Sequence, residues 1–574
     1  MLKNIVPNAI NYLTDIFNRC LEECKIPNIW KTGKIIPLLK PGKPADKGSS
    51  YRPVSLLSPA IKILEALLLP AVTEAVQLAD HQHGFRKGRS TCTALQRILD
   101  RINTGLNKKK PVHRTVSVAI DLSRAFDTVD HTILLKDIMQ LHLNANIKRF
   151  LCAYLRGRQT YVVFRNANSK FRKVKQGVPQ GGVLSPILFN LYMSTMPQPP
   201  GNIQIETYAD DSNILNSGPI IEPVVEEINI YLTTLNTWFK TRNLAISPPK
   251  STATLFTTAP NECAVKLAVE IDGQRVPTVK KPKILGVTFD NLLSFKQHTS
   301  ELKTKLQKKN NILRALSGSD WGKEKEVIVN TYKAIGKSLL NYCCPIWTPS
   351  LSATSWNSLQ TAQNGALRTA TGCHRMADID HLHNETKLMK VKPHCEMLSK
   401  QFLLATQKPH HPNRVDLTRP PPSRQMKKTL VSRYGAEIRQ MSQPDLPETE
   451  YKRKLKAIHT SSVRKFITEM QPNKVLNAAP PPINDTEKQL SRSSRATLSQ
   501  LRSGYSKYLN SYKARINTDI QDICPLCNND EHTTQHLFNC PANRTDLTTT
   551  DLWSRPTEAA RFLNLATDDF DDHG

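Results

Sequence analysis

No stretch of this 574-residue chain is long and apolar enough to cross a bilayer as a helix. The longest apolar run, around Leu64 to Val72, is broken by Glu65 and Pro70. A signal-peptide pattern is missing too, and Ile10, Leu13, Phe17, Leu21 and Cys24 read as one face of an ordinary core helix. No membrane partner is expected. Solenoid repeats are absent. The 12 cysteines are mostly single, with one adjacent pair at Cys343–Cys344, which excludes a secreted disulfide framework and favours a reducing compartment. Acidic residues are outnumbered: 49 Asp+Glu face 79 Lys+Arg, a net charge of +30. That excess suits a polyanionic partner without identifying one. The length predicts two to four domains, and 39% hydrophobic residues suffice for their cores.

From Met1 to about Asp290, helical patterns alternate with short β-branched runs and Gly/Pro turns, an α+β texture. Residues 292–407 read as mainly helical. There Leu302, Leu306, Leu313 and Leu316 form a stripe interleaved with Lys303, Lys305, Lys308 and Lys309, either a solvated face or one lying on a nucleic-acid backbone. After Lys408 come two triple-proline runs, Pro420–Pro422 and Pro480–Pro482, among many charges. This reads as a partly mobile linker with some helix. A small Cys/His module follows, and Asp568, Asp569, Asp571 and Asp572 suggest a disordered acidic tail.

Chemistry is signalled by two carboxylate-bearing segments. In Thr115–Asp127, Val116, Val118 and Ile120 alternate with Ser117, Ala119 and Asp121. The pattern predicts a strand burying the first set, with Asp121 on the other face at the strand's end. Residues 203–215 read as two strands joined by a tight turn at Ala209-Asp210-Asp211. Adjacent carboxylates at a hairpin tip repel unless a cation neutralises them. Three aspartates on neighbouring strands can hold two magnesium ions roughly 4 Å apart.

Tyr208-Ala209-Asp210-Asp211 resembles the Tyr-x-Asp-Asp box of reverse transcriptases, and Asp121–Asp127 their first catalytic motif. Ile35–Lys43 and Tyr51–Leu57 resemble the fingers motifs, and Gln82–Thr91 the segment after them. Gln176–Pro186 is similar to the Pro-Gln-Gly motif, and Leu244–Lys250 and Leu285–Asp290 to the two motifs closing the palm. The wording is most similar to the non-LTR retrotransposon enzymes, the jockey-like group in particular. The resemblance implies an α+β right-hand polymerase that copies RNA by adding dNTPs to a primer 3′ end. Fingers would occupy 1–110 (N-terminally truncated), the catalytic palm with part of the fingers 111–290, and a helical thumb 291–375. A helical and Pro-rich, partly disordered connection would fill 376–490, a Cys/His zinc module 491–545, and an acidic tail 546–574.

By the same resemblance Asp121, Asp210 and Asp211 bind two Mg2+ ions, and Lys40 and Arg52 contact the incoming triphosphate. Lys250 approaches the leaving phosphates, Gln180 and Gly181 lie beside nucleotide and template, and Leu285 and Gly286 support the primer end. Phe126 sits where the family places its sugar gate, with core packing as the plainer account. The implied partners are RNA template, DNA primer or target DNA, and dNTPs. The implied site of action is nuclear, although Lys108–Lys110 reads as a solvated loop rather than a nuclear signal. The oligomeric state is not legible.

Cys524-Pro525-Leu526-Cys527 forms a knuckle whose thiolates can share one Zn2+. His536 and Cys540 complete a tetrahedral structural set, and the jockey-like enzymes end with a similar pattern. His532 competes for the third position, but that choice leaves Cys540 too far along. Arg492, Arg495, Arg502 and Lys507 are candidates for binding RNA or target DNA. The family's endonuclease and an RNase H arrangement are not evident, so a truncated copy is one expectation. The rivals are an RNA-dependent RNA polymerase and an inactive, polymerase-derived binding protein.

Overall fold

The computed structural model describes residues 7–108, 110–318, 321–418, 425–442 and 447–565. Lys109, the Pro420–Pro422 run and the acidic cluster at 568–572 lie outside them. The chain divides into two compact units, Met1–Leu293 with Arg424–Lys427, and Ser294–Ser423 with Lys428–Gly574.

The first unit carries all the strands among the described residues. Strands β1 (Thr32–Leu39) and β2 (Tyr51–Leu56) pair antiparallel, with Leu38 opposite Arg52. Helix α1 (Pro59–Ala75) follows, opened by a proline whose missing N–H costs nothing at that position. Helix α2 (Thr91–Leu106) begins with a reciprocal capping box between Ser90 and Thr93. Next come β3 (Arg114–Ile120) and β4 (Gln159–Phe164), the latter parallel to β1. Helix α3 (Ser185–Met193) is buried at every position but Pro186. It leads to β5 (Gln204–Tyr208), β6 (Asp211–Gly218), α4 (Ile221–Thr241) and β7 (Thr252–Phe256).

The palm-like sheet runs β5-β6-β3-β7, antiparallel throughout. Val116 and Val118 on β3 have no exposed surface, each worth about 1.5–3 kcal/mol of burial. The simple alternation expected of β3 is not what the structure shows. Thr115 and Ser117 are buried as well, because helices α2 and α4 also pack on this sheet. Their hydroxyls are satisfied across the strands: Ser117 donates to Asn213 Oδ1 at 3.0 Å, and Thr115 and Ser217 lie 2.9 Å apart. Alternation reports side-chain polarity; it cannot report a polar partner on the next strand.

The second unit is helical. Helix α5 (Lys296–Arg314) packs on α6 (Ala353–Thr371), burying Leu302, Leu306 and Leu313 while Leu316 stays over a third exposed. Lys305 and Lys308 face solvent. The stretch after Lys408, expected as a partly mobile linker with some helix, contributes helices to a core. Helix α7 (Val391–Ala405), the helix Leu430–Met441 and α8 (Glu448–Thr468) share Leu403, Leu404, Ile438, Tyr451, Ile458 and Phe466. On α8 the buried Tyr451, Ile458 and Phe466 stand singly among charges, so composition hides the apolar face. The expected acidic tail departs in the same way. Leu547, Leu552, Trp553, Ala559, Ala560 and Leu563 pack with Leu498 and Leu501 of α9 (Arg492–Arg502).

Candidate active site and Cys/His cluster

Asp121 follows the last residue of β3, where Ile120 pairs with Ser212 of β6. Asp211 begins β6, so the register sets Asp121 and Asp211 at the same end of adjacent strands. Tyr208 pairs with Asp211 across a turn of two residues, Ala209 and Asp210. Ala209 is left-handed (φ 58°), disfavoured by about 1–2 kcal/mol for a residue with a Cβ. The segment His81–Gly84 holds it there. His83 N–H donates to Thr207 O at 2.8 Å, Thr207 N–H to His81 O at 2.8 Å, and Ala209 N–H to Gln82 Oε1 at 3.3 Å. Any Cβ on Gly84 would stand 2.4 Å from Ala209 N.

The carboxylates feel one another. Desolvation, then the charges of Asp210 and Asp121, push Asp211 up to about 6. Asp210 is raised too, first by desolvation and then by Asp121. Arg52 on β2 opposes both shifts. A loop between α4 and β7 clamps Asp121: Ser251 Oγ accepts its N–H at 3.1 Å, and Ser247 N–H donates to its carbonyl at 2.8 Å. Exposed Lys250 sits within that loop.

The Pro179–Gly182 loop lies against β2. Ser55 N–H donates to Gln180 O at 2.7 Å, and Gln180 Nε2 to Asp127 Oδ1 at 2.9 Å. At Gly181 φ is 131°, and a Cβ would come 2.4 Å from Ser55 O, so only glycine fits.

The reverse transcriptase (RNA-dependent DNA polymerase) family matches residues 40–289, a span that contains every element of this site. These residues are a reverse transcriptase domain. A probable RNA-directed DNA polymerase from transposon X-element of Drosophila melanogaster is 33% identical over 399 residues, 68% of this chain and 43% of that protein. Its counterpart from transposon BS of the same fly is 31% identical over 408 residues, 68% of this chain and 44% of that protein. The RNA-directed DNA polymerase from mobile element jockey of Drosophila funebris is 28% identical over 409 residues, 69% of this chain and 43% of that protein. The chain thus spans less than half the length of these relatives.

Within the reverse transcriptase domain, other sequence-expected residues fall as follows. Leu285 and Gly286, both at positive φ, form the two-residue turn of a small hairpin. They line a cavity of about 210 Å³ together with Tyr208 and Asp211. Phe126 is half-buried, stacked on Phe189 with centroids 4.2 Å apart and planes at 16°. Phe85, half exposed and left-handed at φ 55°, stands nearly perpendicular to it, with ring centroids 6.3 Å apart. Lys40 Nζ donates to Ser49 O at 3.1 Å, toward its own loop. Sequence reasoning left Gln82, Ser247, Ser251 and Phe85 without roles, although all lie within or beside the quoted motifs.

In the second unit, Cys524, Cys527, His536 and Cys540 bring four ligand atoms within 4.8 Å of one another. Cys524 Sγ and Cys540 Sγ are 3.9 Å apart, and Cys527 Sγ and His536 Nε2 3.4 Å. Such separations suit a tetrahedron of zinc ligands at about 2.0–2.3 Å from a shared centre. His532 is not in the group; its Nδ1 accepts the N–H of Asn510 at 3.1 Å.

The arginines expected on a nucleic-acid surface are inside the protein. Arg492, Arg495 and Arg502 are 5%, 3% and 0% exposed. Arg502 bonds Glu385 at 3.1 Å and also Glu487, which Lys325 joins at 2.9 Å. Arg495 pairs with Glu324 and Glu326, each at 2.6 Å, and Arg492 donates to the carbonyls of Thr369 and Ala370. Lys507 alone of the four is exposed. No described helix is long and apolar enough to cross a membrane.

Proposed function

We propose that this chain is the RNA-directed DNA polymerase of a non-LTR retrotransposon, extending a DNA primer with dNTPs on an RNA template. One observation carries the reading: β3 and the β5–β6 hairpin deliver Asp121, Asp210 and Asp211 to one sheet end inside a reverse transcriptase domain. The right-hand arrangement goes with it, with fingers built on β1 and β2, the palm on the four-stranded sheet, and a thumb over 291–375 that includes α5 and α6. Target DNA supplying the primer makes the nucleus the site of action.

The donor set suits magnesium, a hard cation that takes carboxylate oxygens, so Asp121, Asp210 and Asp211 would hold a pair of ions. When bound, such ions lower the pKa of a primer 3′-hydroxyl and take charge from the leaving pyrophosphate. The protein's own part is positioning and electrostatics. Arg52, Lys40 and Lys250 supply positive charge for the triphosphate, and Gln180 and Gly181 present backbone to nucleotide and template. Phe126 would exclude a ribose 2′-hydroxyl, its ring set by Phe189. Leu285 and Gly286 would support the primer end. Cys524, Cys527, His536 and Cys540 would hold a structural zinc, since four protein ligands leave no open position.

The test is primer extension on an RNA template in magnesium, with Asp210→Asn and Asp211→Asn as controls. Wild-type protein extends with dNTPs, and each variant loses activity by about a thousandfold or more. Wild-type protein making no magnesium-dependent product sinks the reading. Ribonucleotides used as readily as deoxynucleotides would redirect it to an RNA polymerase.

A further inference from the structure

Glu65 is the residue that interrupts the longest apolar run of the chain, and it has no exposed surface. It lies on α1 among Ile61, Leu64, Leu68 and Val72, all buried. A carboxylate there costs several kcal/mol unless hydrogen bonds compensate it. The compensation comes from residues 118 and 119 positions away. Glu65 Oε2 accepts the Val183 N–H at 2.5 Å and the Leu184 N–H at 2.9 Å. Those amides precede the first turn of α3, where helical N–H groups lack partners and negative charge is favoured. Burial raises the Glu65 pKa, and the same two amides pull it back down.

The segment so held is the end of the nucleotide-facing loop. Val183 directly follows Gln180, Gly181 and Gly182. A Cβ on Gly182 would come 2.6 Å from Ser185 Oγ, 2.9 Å from Tyr154 Oη and 3.2 Å from Glu65 Oε2. Arg158, 2% exposed, donates to Tyr154 O and lies 4.8 Å from the Tyr154 ring centroid. At the other end Gln180 is tied to Ser55, three residues from Arg52 on β2. The loop is thus stretched between a buried carboxylate and the strand that carries a cation toward the aspartates.

We propose that Glu65 is a positioning residue for dNTP binding, acting through the Gln180–Gly181 loop, an inference that rests on the polymerase reading above. It touches no substrate. It sets the distance between the loop backbone and β2, and therefore the fit of the incoming nucleotide more than the chemical step. One oxygen receives both amides, so glutamine can replace it with its carbonyl in that place. Aspartate, one methylene shorter, cannot reach.

The experiment uses the full chain carrying Glu65→Asp or Glu65→Gln. Glu65→Asp raises the dNTP KM about tenfold with kcat within about threefold, and Glu65→Gln stays within about twofold of wild type in both. Hydrogen exchange gives a readout independent of activity: in Glu65→Asp the Val183 and Leu184 amides exchange faster while those of α4 do not change. An unaltered KM in Glu65→Asp, or exchange quickened throughout the palm, overturns the inference. If wild-type protein extends no primer, the polymerase reading fails, and the exchange comparison still decides whether Glu65 anchors the loop.

Discussion

The N–H of Asp121 donates to the hydroxyl of Ser251 at 3.1 Å, although the two residues are 130 positions apart. Ser251 is 1% exposed, and its hydroxyl donates onward to Ser247 O at 2.9 Å. Ser251→Ala leaves the Asp121 amide without that partner, at a cost of about 1–3 kcal/mol. The expected result is a folded variant whose kcat for primer extension drops severalfold while dNTP KM holds. Ser251→Thr, which keeps the hydroxyl, recovers part of it. A kcat equal to wild type in Ser251→Ala would show that the strand alone positions Asp121.

Arg502 is a structural cation. Replacing it with methionine leaves Glu385 and Glu487, both under 6% exposed, with Lys325 and, for Glu487, Arg495 as their remaining close cations. Breaking a buried ion pair from one side costs about 3–5 kcal/mol. Urea unfolding of Arg502→Met should show a loss of that size in the second unit, with RNA affinity of the folded protein unchanged. Lys507→Ala, at an exposed position, should leave the unfolding midpoint unchanged. A stable Arg502→Met variant with weakened RNA binding contradicts this assignment.

Acid should destabilise the second unit through two histidines held neutral. Burial drives His383 down to about 4, and burial with the nearby charges of Lys337 and His459 drives His394 down to about 3. His394 Nε2 lies 2.8 Å from Asn341 Oδ1, and His383 Nδ1 2.6 Å from Leu388 O. Above the ordinary histidine value both states are neutral and nothing is lost. As pH falls below about 6.5 the unfolded chain takes up protons first, so stability declines until the folded-state values are reached. Each unit of separation is worth about 1.4 kcal/mol. His394→Asn should therefore lose less stability than wild type between pH 7 and pH 4, measured by denaturant midpoints. Parallel curves for the two proteins would remove His394 as a cause.

Zinc removal should act on the C-terminal part of the second unit and spare the palm-like sheet. Chelation, or Cys540→Ser, is expected to lower the melting temperature and to release about one zinc per chain, since structural sites contribute directly to folding. Metal analysis with differential scanning fluorimetry reads both. Protein purified without zinc and melting at the same temperature as chelator-treated protein would reduce the cluster to four free side chains.

Several features were open to a reader of the sequence because they are local. The tight turn between Tyr208 and Asp211, the knuckle at Cys524 and Cys527, and the leucine stripe of α5 each lie within a few residues, where periodicity and turn chemistry act. The four-member Cys/His group was legible down to the choice of His536, because the competing His532 left an awkward spacing. Helix in 430–468 was legible only as part of a linker; the buried face of α8, Tyr451, Ile458 and Phe466 among many charges, was not, since so few apolar residues look like a linker in composition.

What the sequence by itself determined is the set of chemical groups and the short-range geometry that strands, turns and helices impose on their neighbours. What only the tertiary structure decided is which charges are spent inside the protein. Glu65 looked like a flaw in an apolar run until Val183 and Leu184 met it, and Arg502 looked like a nucleic-acid contact until Glu385, 117 residues away, enclosed it. Polarity is a property of a residue, whereas burial and pairing belong to segments that chain order separates, and only folding brings those segments together.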